Sequence, residues 1–170
     1  MPSVCIVSDS TALFPNPVFK GRNQVQLLPA TWQGTTDPSA ERLKAADLPV
    51  SLKNSEAPRL ATPSPAEFET FFRQVGAHYD GVLAILHSSE FSPAAENAIE
   101  AAQTLHGTAA VRVVDSHSVS LGLGLIVQTT AAAAEGGMPL GELDLYARSL
   151  VPKVYGLLCI PGLSYLERGA

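Results

Sequence analysis

A chain of 170 residues with 46% apolar side chains is long enough for one domain with its own core and too hydrophobic to be disordered. A net charge of −5 and the lack of any basic run argue against nucleic acid or an anionic membrane as partner. The two cysteines, Cys5 and Cys159, sit in apolar runs and read as free buried thiols of a reducing, cytoplasmic compartment, a disulfide between neighbouring strands being the alternative.

Met1 leads without a charged leader into a first strand at Val4–Val7, so no signal peptide is expected. That strand closes in Ser8-Asp9-Ser10-Thr11, and a second follows at Val25–Leu28. Asp37-Pro38 is expected to open a short helix towards Lys44. Residues 46–63 hold Pro49, Pro58 and Pro63 without a clear period and read as a surface loop, with at most a short edge strand at Pro49–Leu52. Ser64-Pro65-Ala66-Glu67 spells an N-cap, a proline at N1 and the glutamate of a capping box; Phe68, Phe71, Phe72 and Val75 follow at helical spacing. Gly81–Leu86 is the third strand, and Ser92-Pro93 repeats the cap-then-proline pattern before an alanine-rich helix to about Leu105. After a fourth strand at Val111–Val114 comes a long buried helix, Ser118 to Glu135. Its apolar run is interrupted by Gly122, Gly124, Gln128 and two threonines, so it does not read as a membrane span. Pro139 to Leu150 is the last long helix and Tyr155–Ile160 the last strand. Short, near-continuously apolar strands alternating with helices predict a single α/β domain with a mostly parallel sheet of four to six strands flanked by helices.

Two of the strands end in Asp-Ser, at Asp9-Ser10 and Asp115-Ser116. In a parallel sheet the strand C-termini converge on the crevice where ligands bind, so both pairs are expected at one polar, hydroxyl-rich edge, together with Ser92. Ser8-Asp9-Ser10-Thr11 reads either as a cradle for a carboxylate or phosphate or as an Asx/ST turn satisfying its own backbone. His87-Ser88-Ser89-Glu90-Phe91-Ser92-Pro93 is the best anion site, because it delivers hydroxyls to a helix N-terminus; Ser92 can cap the helix and meet a ligand at once. Asp115-Ser116-His117-Ser118 with His87-Ser88 suggests a Ser-His-Asp hydrolase. There is no Gly-x-Ser-x-Gly elbow, and a hydrolase using Ser88 or Ser92 with His87 is the weaker alternative. His87 and His117 with Asp9 or Asp115 lack metal-site spacing, so no metal is expected. Gly122-Leu123-Gly124 lacks the third glycine of a dinucleotide loop, Val127 standing there, and reads as close packing on the sheet or a ligand; no cofactor is expected.

Taken in order, these segments resemble the DegV family of bacterial fatty-acid-binding proteins. Ser8-Asp9-Ser10-Thr11 matches the family's Ser-Asp-Ser-Thr, and Ala61-Thr62-Pro63-Ser64-Pro65 with Phe68 looks like its Ser-Gln-Pro-Ser-Pro segment. Ser88 to Ala95 matches part of Ser-Ser-x-Leu-Ser-Gly-Thr-Tyr. Val113 to Gly124 matches Val-x-Asp-Ser-x-x-x-Ser-x-Gly-x-Gly closely, and Leu163-Ser164-Tyr165-Leu166-Glu167-Arg168-Gly169 resembles the last family segment. The resemblance implies a cytoplasmic carrier without chemistry of its own that encloses one long-chain fatty acid in an apolar tunnel. In some members the carboxylate is presented to a separate fatty acid kinase subunit. It points to Thr62, Ser92, Ala94, Ser10, Ser120 and Gly122 as ligand-binding positions. The family's Thr-Ser-Gln reads here as Leu60-Ala61-Thr62, and its Gly-Thr-Tyr as Pro93-Ala94-Ala95. The chain stops at Ala170, where members continue into a second domain, so one domain is expected with the second absent. A half-tunnel predicts a homodimer, or a second chain, across the open ligand face, with the apolar stretch Leu157–Leu163 leading to it. The alternative is a ligand-free interaction module that has lost the tunnel.

Overall fold

The computed structural model describes residues 3–28, 31–32, 60–105, 107 and 110–157. In chain order it forms strands β1 (Val4–Asp9), β2 (Val25–Leu28), β3 (Thr31–Trp32) and β4 (Leu60–Ala61), helix α1 (Pro65–Gly76), β5 (Gly81–Leu86), α2 (Ala94–Thr104), β6 (Ala110–Asp115), α3 (Leu121–Glu135) and α4 (Leu140–Leu150). The two runs without polar alternation, β1 and β5, are buried at every position and form the centre of the sheet. The order is β2-β1-β5-β6 and every pairing is parallel, while β3 and β4 form a separate antiparallel ribbon.

Side-chain parity along β1 divides the core. Val4 and Ile6 face α3 and α4, with Leu83, Ile85, Leu123, Ile126, Val127 and Leu143. Cys5 and Val7 face α1 and α2, with Phe68, Phe72, Val82, Ala84 and Ala98. The fold is therefore three layers, helices on both faces of the sheet. Burial pushes the Cys5 thiol up to about 12, which makes it inert packing; it is free, and Cys159 lies outside the described residues. Among the described residues no helix is long and apolar enough to cross a membrane.

Helix α1 starts as expected, with Ser64 and Glu67 closing a capping box in both directions. Helix α3 starts later than expected, at Leu121. The Ser116 hydroxyl donates to the Ser118 carbonyl and accepts from its amide, and His117 (φ 45°) and Ser120 (φ 59°) hold left-handed backbone that no helix continues through. The last expected strand, Tyr155–Ile160, is corrected over its first half: Val154–Leu157 has no regular structure, and Tyr155 and Leu157 are almost fully exposed. Helix α4 ends in a 3₁₀ turn at Val151–Lys153 carrying Pro152, and the chain then finds no strand partner among the described residues. The 46–63 loop contributes β4 at its end, and the Asp37–Lys44 helix and the Pro49–Leu52 strand fall outside the described residues.

Candidate functional site

The sequence order of the strands reverses between β1 and β5, since β1 is followed by β2 on one side while β5 is followed by β6 on the other. Such a switch point leaves a crevice at the strand C-termini. The register makes it symmetrical. Asp115 lies level with Leu86 on one side of β5, and Val7 pairs with Ala84 on the other, which brings Asp9 level with Leu86 too. Two carboxylates, one from each neighbouring strand, thus flank the segment that leaves β5.

Each carboxylate holds part of that segment. Asp9 Oδ2 accepts from the His87 amide at 2.9 Å and lies 2.9 Å from His87 Nδ1. Asp9 Oδ1 accepts from the amide and hydroxyl of Thr11. Asp115 accepts from the Ser89 amide at 3.3 Å and the His117 amide at 2.9 Å. On the far side of the ring, His87 Nε2 lies 2.6 Å from Ser92 Oγ, which also accepts from the Ala94 amide at 3.3 Å. Asp9, His87 and Ser92 therefore form one buried chain, at 5%, 4% and 9% exposure. Burial pushes the Asp9 carboxyl up, but hydrogen bonds and charge from His87, with the Thr11 bonds, outweigh it and hold Asp9 below the usual range. Asp115 is likewise held low: burial raises it, and the bonds from Ser89 and His117 prevail.

The expected ligand positions lie on the segments that follow β1 and β4 and at the starts of α2 and α3. Ser92 ends the Asp9–His87 chain, and Ala94, the buried first residue of α2, holds its oxygen. Thr62 follows β4; its neighbour Pro63 accepts from the Asn97 side chain on α2 at 2.9 Å, which fastens this segment beside the same helix. Ser10 follows Asp9, its amide bonded to Leu28 on β2. Ser120 precedes α3, and its carbonyl accepts from Leu13, three residues beyond Ser10. Gly122 and Gly124 are close-approach positions: a Cβ would stand 2.1 Å from Ser118 Oγ at the first and 2.0 Å from the Leu13 carbonyl at the second. Among the described residues no three metal-ligating side chains cluster. The sequence reading set His87 beside Asp115-Ser116 and paired it with Asp9 only as a rejected metal site, so the hydrogen-bonded Asp9–His87 contact was not foreseen. The available signal was that β1 and β5 each give way to polar residues at their C-terminal ends, and it required the strand order to be read.

Residues 3–170 match the family model of DegV, described as an uncharacterised protein family. A DegV domain-containing protein of Deinococcus radiodurans is 34% identical over 168 residues, covering 97% of this chain and 59% of that protein. A Thermus thermophilus DegV family protein, solved as a study of fatty acid binding, is 26% identical with a TM-score of 0.74, covering 88% of this chain and 54% of that one. The fatty acid kinase B3 protein of Streptococcus pneumoniae, loaded with linoleic acid, shares the fold with a TM-score of 0.61 at 18% identity, covering 88% of this chain and 54% of that one. The chain spans about three-fifths of the curated relatives it matches, 60% and 59% of the first two.

Proposed function

Because this chain belongs to the DegV family, we propose that it is a carrier that holds the carboxylate of a long-chain fatty acid in the β1–β5 crevice and performs no chemistry on it. The observation that carries this reading is Ser92, a buried hydroxyl set by Asp9 and His87 at the N-terminus of α2. The first-turn amides of a helix lack intrahelical acceptors and carry the positive end of its dipole, which suits a carboxylate. Thr62, Ser10 and Ser120 are the further hydroxyl positions of the proposed site, and Ala94 and Gly122 the places where a small side chain lets the ligand approach backbone. Leu13, Leu121 and Leu125 stand exposed beside Ser120, Leu13 being drawn against α3 at Gly124, and offer an apolar path for the acyl chain. Ten methylenes fully buried contribute about 8 kcal/mol, most of the affinity of such a ligand.

That burial needs a second wall. A second copy of this chain or another chain across the open face supplies it in this reading, with a fatty acid kinase subunit as the partner that receives the carboxylate in a cytoplasmic setting; the Streptococcus pneumoniae protein supports the last step by analogy. Fluorescence titration with cis-parinaric acid tests the site. Ser92→Ala is expected to weaken binding by about tenfold, the worth of one charge-assisted hydrogen bond, with the circular dichroism unchanged. Unaltered affinity in that variant contradicts the assignment.

One observation favours a second reading, an acyl-ester hydrolase: Asp9, His87 and Ser92 have the contacts of a base-activated serine. Against it, Pro93 leaves no amide directly after the serine to stabilise an oxyanion. Labelling of Ser92 by a fluorophosphonate probe, lost in His87→Ala, would establish this reading in place of the carrier.

A further inference from the structure

The hydrogen bonds around Asp9 determine where each proton of the Asp9–His87–Ser92 chain sits. Asp9 accepts four bonds, from the amide and hydroxyl of Thr11 and from the amide and Nδ1 of His87. A carboxylate accepting at all its lone-pair positions is ionised and can only accept, so His87 carries its ring proton on Nδ1. In the neutral ring, taken as the unliganded form, Nε2 is then bare. At 2.6 Å the Ser92 hydroxyl must donate to it. The Ala94 amide occupies one lone pair of the same oxygen. Ser92 is left with a lone pair to offer a ligand, and a lone pair repels a carboxylate.

We propose that binding of a fatty carboxylate at Ser92 takes up one proton, with His87 as the residue that accepts it. With a proton on Nε2 the ring donates to Ser92 Oγ, and the Ser92 hydroxyl turns to donate to the ligand. The imidazolium then lies between two carboxylates, Asp9 behind it and the ligand beyond Ser92. The surrounding charges favour this uptake. Asp9 reaches His87 from β1, and Asp115 at the end of β6 holds the Ser89 amide with His117 Nδ1 at 3.7 Å. Glu90 in the same loop and Glu96 in the first turn of α2 are exposed. Among the described residues no lysine or arginine bonds to Asp9, His87 or Ser92. A second bare carboxylate entering this acidic edge needs a compensating proton. This inference rests on the carboxylate-binding reading and names its condition.

Calorimetric titration with decanoate at pH 7.5, in phosphate and in Tris, tests it. Decanoate is ionised in water at this pH, as any ordinary carboxyl is. The expected result is a difference in heat between the two buffers that corresponds to nearly one proton taken up per decanoate. Affinity should fall about tenfold per pH unit on the alkaline side, the slope of one linked proton. In His87→Gln both the buffer difference and the slope should disappear. Binding of decanoate with equal heats in both buffers and no pH dependence overturns proton uptake and leaves the carrier reading standing. No binding of decanoate at any pH from 6 to 9 overturns both.

Discussion

Asp9 and Asp115 look alike in the sequence, each an aspartate before a serine at the end of an apolar run. The two have different partners in space. Asp9 takes the ring and amide of His87, whereas Asp115, on the other side of β5, takes the amides of Ser89 and His117. Parity along β1 already implied part of this, because Asp9 shares the α2-facing side with Cys5 and Val7. The rest depended on β5 lying between β1 and β6, which no local pattern encodes. Asp9→Asn places amide hydrogens against donors that the carboxylate now satisfies. It is expected to lower stability by about 2–4 kcal/mol, measured as a shift of the urea midpoint at constant slope. The pH dependence has a definite sign. The folded-state Asp9 carboxyl is held low, so its contribution is present above the unfolded value of about 3.9 and is lost as pH falls through the folded value. Wild-type protein should therefore lose stability steeply below about pH 4, and Asp9→Asn more gently. Parallel acid profiles for the two would contradict the role given to Asp9.

At the scale of elements, the start of helix α1 was legible because its capping box is a local device. Ser64→Ala should cost about 1 kcal/mol, read as the change in unfolding free energy. The start of α3 was not legible, because Ser116, Ser118 and Ser120 read equally well as caps. The Ser116 hydroxyl settles the matter by holding Ser118 in a turn. The sequence places the two glycines of that region inside the helix as close-packing positions, and the structure gives their reason in the approach of Ser118 and of the Leu13 backbone. Gly124→Ala must displace backbone rather than a flexible side chain. An expected loss of about 1–3 kcal/mol, visible as a lowered melting temperature, follows from overpacking. The Tyr155–Ile160 strand was misread over its first half because an apolar run signals burial only when a neighbour exists to bury it, and residues 155–157 stand exposed.

At the scale of the molecule, the parallel sheet was legible because β1 and β5 are apolar at consecutive positions, which only a doubly covered sheet allows. The crevice followed from the same pattern once the strand order was known. Exposed Leu13, Leu121 and Leu125 beside it, with Phe91 in the loop above α2, leave apolar surface at the ligand edge. On the carrier reading this surface is covered in solution, so sedimentation at micromolar concentration should show a dimer. A monomer at all concentrations would contradict a tunnel closed by a second copy. The central claim is narrower: one carboxylate, held at Ser92 in the crevice between β1 and β5. The most direct measurement is a crystal structure of the protein with decanoate. It should show a carboxylate oxygen about 2.7 Å from Ser92 Oγ, with the Asp9–His87 contact intact and the acyl chain running past Leu13 and Leu121. A carboxylate bound elsewhere, with Ser92 still donating to His87, would contradict the account.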